Sequence, residues 1–170
     1  MPMPTDIGVI DLMLAIPGDD SSSFYDWIKP LLMDRESHEQ YTMPAQYMFK
    51  DIPETGKADD FVKRTVEQMD RFNIETALVG WNENATSRRA KEKYPDRFFF
   101  DLPSNPNNGM DEVRRIKRIH AEVGLSAISV FPAGTNPQVA INHKYMFPLY
   151  ACAVELDIPI LLNAGIPGPR

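Results

Sequence analysis

Four polar side chains stand within or just beyond the apolar, strand-like runs of this sequence: Asp11, Glu83, Asp101 and Asn163. Carboxyl groups at such places suit proton transfer, because a carboxyl held in a pocket can titrate away from its ordinary range. Asp11 lies within a nearly continuous apolar run, where a lone carboxylate is costly without a partner; it serves either as a pocket acid or as an anchor for loop backbone. Glu83 is a candidate general acid or base, or an acidic residue opening the next helix. Asp101 closes the third run, with Ser104 and Asn105 just beyond as further polar candidates or turn formers. The amide of Asn163 is able to orient a substrate carbonyl or carboxylate. Trp81, Asn82, Ser104 and Phe131 follow the same run ends and are the expected substrate contacts.

The elements that position these residues alternate. Strand-like runs over 7–14, 76–81, 98–102, 126–131 and 158–162 are separated by helical patterns. The helix over 59–73 carries Val62, Val66, Met69 and Phe72 at helical spacing, and the one over 110–123 carries Val113, Ile116, Ile119 and Val123. Gly124 suits the end of the latter. Strand and helix in strict alternation predict a parallel sheet covered by helices, with its chemistry at the C-terminal ends of the strands. The first strand-to-helix turn has neither the dinucleotide-binding nor the P-loop glycine pattern, which favours a (β/α)8 barrel of the TIM type over a doubly wound, flavodoxin-like sheet. The expectation is an α/β fold comprising the first five β/α units of such a barrel. It forms one partial domain over 1–170, with a long aromatic- and Met-rich loop insertion over 17–58 able to cover a site.

Bulk properties narrow the function. The 170 residues carry 24 acidic and 18 basic side chains, a net charge of −6, and 43% hydrophobic residues. This balance predicts neither a nucleic-acid nor an anionic-membrane partner. No run approaches a membrane span and no cationic leader precedes the first strand, so a cytoplasmic location is expected. The lone Cys152 cannot form an internal disulfide and reads as a small buried hydrophobe. His38, His120 and His143 lie in the long loop, on a helix and before a helix, with no ligand spacing between them. No Ser/His/Asp triad is apparent.

Several segments resemble the amidohydrolase-related family, the barrel group that includes aminocarboxymuconate semialdehyde decarboxylase. They are Ile10-Asp11 followed by Pro17; Tyr94-Pro95-Asp96-Arg97-Phe98; the stretch from Gly124 to Pro132; and Pro148-Leu149-Tyr150-Ala151-Cys152-Ala153 leading into Ile158-Pro159-Ile160. The resemblance runs from about Val9 to Gly165. It implies a TIM barrel that usually holds a divalent metal, commonly zinc, on two histidines of strand one, one of strand five and an aspartate of strand eight. Here the first three ligand positions are Met13, Ala15 and Asn163. A thioether, a methyl group and an amide do not replace imidazoles for zinc, so no metal ligand is predicted and the cofactor is left open.

The resemblance therefore implies a hydrolase or carboxy-lyase acting on a small carbonyl- or carboxyl-bearing molecule, atypical in its missing ligands. The alternative is a non-catalytic barrel, a pseudoenzyme that binds a ligand or a partner subunit. A partial barrel leaves strands one and five as open edges, so self-association or a missing C-terminal half is expected.

Overall fold

A computed structural model describes residues 6–17, 29–30, 32–39 and 59–164 of the chain. Most of the 17–58 insertion and the residues from Gly165 onward lie outside the described residues. The elements run β1 (Val9–Asp11), α1 (Arg35–Glu39), α2 (Phe61–Arg71), β2 (Ile74–Gly80), α3 (Ala85–Lys93), β3 (Phe98–Pro103), α4 (Gly109–Val123), β4 (Ala127–Val130), α5 (Phe147–Leu156) and β5 (Ile160–Leu162). Short 3-10 turns over Pro106–Asn108 and Pro132–Gly134 precede α4 and α5.

All pairings in the sheet are parallel and the strand order is β1-β2-β3-β4-β5. A doubly wound sheet reverses its strand order at a switch point; here there is no reversal. Consecutive crossovers of one hand keep the helices on one side, and the sheet curls into part of a (β/α)8 barrel.

The helix-facing side is built from alternate strand residues. Ala77, Val79 and Trp81, then Phe98, Phe100 and Leu102, then Ile128 and Val130 join one apolar cluster with Val62 and Met69 of α2, Ile116 and Ile119 of α4, and Leu149 and Cys152 of α5. Because successive strand residues point to opposite faces, Leu78, Gly80, Phe99, Asp101, Pro103, Ala127 and Ser129 turn to the concave face.

Local chemistry explains where the elements stop. The first strand is shorter than its apolar run because the Asp11 carboxylate accepts the Met13 N–H at 2.8 Å, a local turn that ends pairing with β2. Asn73 supports the other end, its amide donating to the Ile7 carbonyl at 2.7 Å. Helix α2 begins at Asp60, which accepts the Lys63 N–H and pairs with Arg89 of α3 at 2.7 Å. Phe72, expected in the core, instead caps α2 half-exposed under the Arg71 guanidinium, because the helix ends before its side chain turns inward. Arg97 explains its segment's value: it donates to the carbonyls of Glu75 and Ile74 and pairs with Asp70 at 2.7 Å, fastening the start of β2.

Gly124 ends α4 in the left-handed region, φ 75°, its N–H donating to the His120 carbonyl at 2.8 Å. A Cβ there would meet nothing within 4 Å, so the cost of a side chain is purely conformational. Gly124→Ala is expected to cost about 1 kcal/mol, read as a lower urea midpoint with an unchanged slope.

Candidate functional site

Asp101 and Ser129 meet on the concave face. The register sets Asp101 beside Gly80 and Ala127, and Ser129 beside Pro103 and Leu161. The Ser129 hydroxyl donates a hydrogen bond to the Asp101 carboxylate. Asp101 is only 8% exposed, and burial pushes its carboxyl above the ordinary carboxylate range, with the Ser129 bond opposing part of that shift. The result is a carboxyl that keeps its proton to higher pH while remaining held by a neighbour.

Of the predicted residues, Asn82 shares this side, while Phe131 and Asn163 stand just beyond the last residues of β4 and β5. Asn82 follows the helix-facing Trp81, and its amide atoms lie 3.7 Å from where a Cβ on Gly80 would stand. Phe131, half-buried, follows Val130, and its carbonyl accepts the Gly134 N–H at 2.9 Å. Asn163 follows Leu162, and its N–H donates to the Val130 carbonyl at 3.1 Å, extending the β4–β5 ladder. Its amide is exposed at the rim.

The remaining predicted residues are placed elsewhere. Asp11 pairs in register with Ala77, on the side away from Asp101, and anchors the turn described above. Trp81 is buried in the sheet–helix layer, edge-on to Phe100 with ring centres 5.1 Å apart, and its indole N–H has no partner among the described residues. Ser104 is also buried; its hydroxyl donates to the Leu102 carbonyl at 2.9 Å and its N–H to the Ser129 carbonyl at 2.8 Å, a turn role. Asn105 likewise accepts the Asn107 N–H at 3.0 Å.

Glu83 neither opens the next helix nor reaches Asp101. Asn84 caps α3 by accepting the Ser87 N–H at 2.9 Å. Glu83 stands just outside, at φ 54°, gripped by Arg115 at 2.8 Å and Arg118 at 3.2 Å. The Arg115 hydrogen bond leads the causes that hold its carboxyl below the usual range, so it stays ionised and is a poor proton donor. Arg115 also donates to the Pro103 carbonyl at 3.1 Å and pairs at 2.6 Å with Glu112, whose side chain is 2% exposed.

Ser129 and Arg115 were absent from the sequence-based candidates. Parity within Ile128-Ser129-Val130 marks Ser129 as the polar member of an apolar strand. The three-residue spacing of Arg115 from Glu112 is local, but nothing local marks its pairing with Glu83, 32 positions away.

The zinc positions implied by the resemblance do not fit that metal. Met13 and Ala15 are exposed, and with Asn163 they offer no imidazole or carboxylate. Among the described residues no three His, Cys, Asp or Glu side chains gather as a ligand set. His38 is exposed on α1, His120 lies half-buried on α4, and exposed His143 accepts the Tyr145 N–H. Burial raises the pKa of the Cys152 thiol, consistent with a packing role.

No described helix is long and apolar enough to cross a membrane. No family profile and no curated protein matches the chain. Solved structures do match. A 2,6-dihydroxybenzoate decarboxylase from Rhizobium shares 19% identity at a TM-score of 0.53, over 91% of this chain and 49% of that one. A 2,6-dihydroxybenzoate decarboxylase complexed with 2,6-dihydroxybenzoate shares 19% identity at a TM-score of 0.54, over 91% of this chain and 50% of that one. This chain therefore spans about half the length of the structures it matches, and what they have in common with it is the fold: consecutive β/α units of a TIM-type barrel.

Proposed function

We propose that the chain is part of an amidohydrolase-superfamily barrel with carboxy-lyase-like chemistry on a small carboxyl-bearing molecule held against the concave face. The observation that carries this reading is Asp101, a buried carboxyl with a raised pKa on that face, held by Ser129. The decarboxylase neighbours support it at the level of fold.

Loss of CO2 from a carboxylate leaves the bonding electron pair on carbon, which must take up a proton. Asp101, protonated, supplies that proton as the carbon–carboxylate bond breaks, and then recovers one from solvent. Asn82 and Asn163 are the amides proposed to orient the substrate carboxylate, with Phe131 against its apolar part. The described residues at the implied zinc positions do not fit that metal, and the proposed chemistry draws its proton from Asp101. The edges of β1 and β5, each paired with a single described neighbour, are proposed to receive further β/α units, from the same polypeptide or a second copy.

A second reading, a ligand-binding barrel without catalysis, is favoured by Met13, Ala15 and Asn163 at the implied ligand positions. The deciding experiment incubates the full chain with small aromatic and unsaturated acids labelled with 13C at the carboxyl, 2,6-dihydroxybenzoate among them. Labelled bicarbonate appearing in the NMR spectrum supports the lyase. Saturation transfer to an acid that is never consumed supports the binding protein.

A further inference from the structure

Glu83 is an unusual residue for its backbone. A φ of 54° is the left-handed region, entered readily by glycine and by short Asn or Asp, and disfavoured for a longer side chain with a Cβ. It is not a helix cap, because Asn84 performs that task. Such a conformation persists where surrounding groups over-determine it. Here those groups are two guanidinium groups of α4, Arg115 on Oε1 and Arg118 on Oε2.

Arg115 is itself fixed from two more directions. Its Nη1 donates to the Glu112 carboxylate at 2.6 Å and to the carbonyl of Pro103 at 3.1 Å. Glu112 in turn accepts from the Asn108 amide at 2.7 Å. One planar fork on an outer helix thus holds the chain leaving β2 and the last residue of β3 at once, a task suited to arginine's rigid donor geometry. Asn82, next to Glu83 in the chain, has its amide 3.7 Å from the Cβ position of Gly80, which is itself 3.4 Å from Pro103 Cγ. The Asn82 N–H donates to the Ser87 hydroxyl at 3.2 Å, so its backbone is fixed from the far side also.

We propose that Arg115 is a positioning residue of the barrel mouth: through Glu83 it holds the left-handed turn that presents the Asn82 amide on the concave face. The role assigned to Asn82 toward substrate rests on the carboxy-lyase reading, whereas the positioning itself is a property of the fold.

The test leaves Arg115 and its buried partner Glu112 in place and varies Glu83. Glu83→Ala removes the clamp and keeps the strained backbone requirement. Glu83→Gly removes the clamp and the strain together. The side-chain NH2 signals of Asn82, assigned by their loss in Asn82→Ala, are followed by 15N NMR, and KM and kcat are measured with whichever acid is turned over. Expected are displaced Asn82 signals in Glu83→Ala and a KM raised roughly tenfold with kcat little changed. Glu83→Gly should return both readouts most of the way to the parent. Asn82 signals unmoved in Glu83→Ala would overturn the proposal. Equal effects of the Ala and Gly variants would overturn it too, since the carboxylate itself would then be what matters. If the parent turns over none of the acids, the carboxy-lyase reading fails and the Asn82 signals alone decide the positioning.

Discussion

Asp101→Asn cuts turnover steeply while making the chain easier to keep folded at neutral pH. The variant keeps the shape of the side chain and an oxygen able to accept the Ser129 hydroxyl, but has no proton to give. Loss of a positioned general acid lowers kcat by about 10²–10⁴-fold. The stability effect has the opposite sign. Burial raises the folded-state pKa of Asp101, so the native chain holds its proton over a window where the unfolded chain has released it. Stability then falls as pH rises from the ordinary aspartate range through the raised folded value. Asparagine has no such slope. Urea midpoints of parent and variant should therefore lie closest below that range and diverge in the variant's favour above it. Parent activity should decline over the same window in which the carboxyl ionises. A variant that keeps full turnover would remove Asp101 from the chemistry.

Arg115→Met acts on stability far more than its half-exposed position suggests. It leaves the Glu112 carboxylate, 2% exposed, with the Asn108 amide as its remaining partner among the described residues, and frees Glu83 from its nearer guanidinium. An ionised carboxylate stranded in a buried site costs about 3 kcal/mol, towards the lower end for broken buried pairs because Arg115 is itself 31% exposed. Removing the other partner is cheaper: Glu112→Gln leaves Arg115 with Glu83, the Pro103 carbonyl and solvent. The double variant Arg115→Met with Glu112→Leu should recover much of the loss, as apolar replacement of a buried pair often does. Denaturant melts of the three variants give the coupling directly. An Arg115→Met midpoint equal to the parent's would show that the network is dispensable.

The order of elements and the core of the helices were legible in the sequence because periodicity encodes them. Val113, Ile116, Ile119 and Val123 lie on the buried face of α4 as their spacing requires, and Gly124 ends it. Asp101 reads in the sequence as a strand-end acid, whereas β3 runs on through Pro103. Parity was harder to read. Trp81 was assigned to the mouth because it follows a strand, yet it shares the phase of Ala77 and Val79 and so joins the helix layer. The same phase rule puts Ser129 opposite to Ile128 and Val130, beside Asp101. Asp11 belonged to an apolar run whose pairing stops early, and the turn it makes with Met13 follows from side-chain chemistry that hydropathy does not register. What sequence could not show was ionic pairing at a distance. Glu83 reads as the start of a helix, and only the folded chain brings α4 against it.

The unbroken strand order has a consequence for how the chain is made. Each strand pairs with the one synthesised just before it, and no strand must wait for a partner from the far end of the described sheet. Apart from the β1–β2 pair, which closes across the long insertion, these contacts span short stretches of chain, cost little loop entropy and form early. During synthesis a new β/α unit thus emerges from the ribosome to find its docking edge already displayed, so assembly can follow the direction of translation.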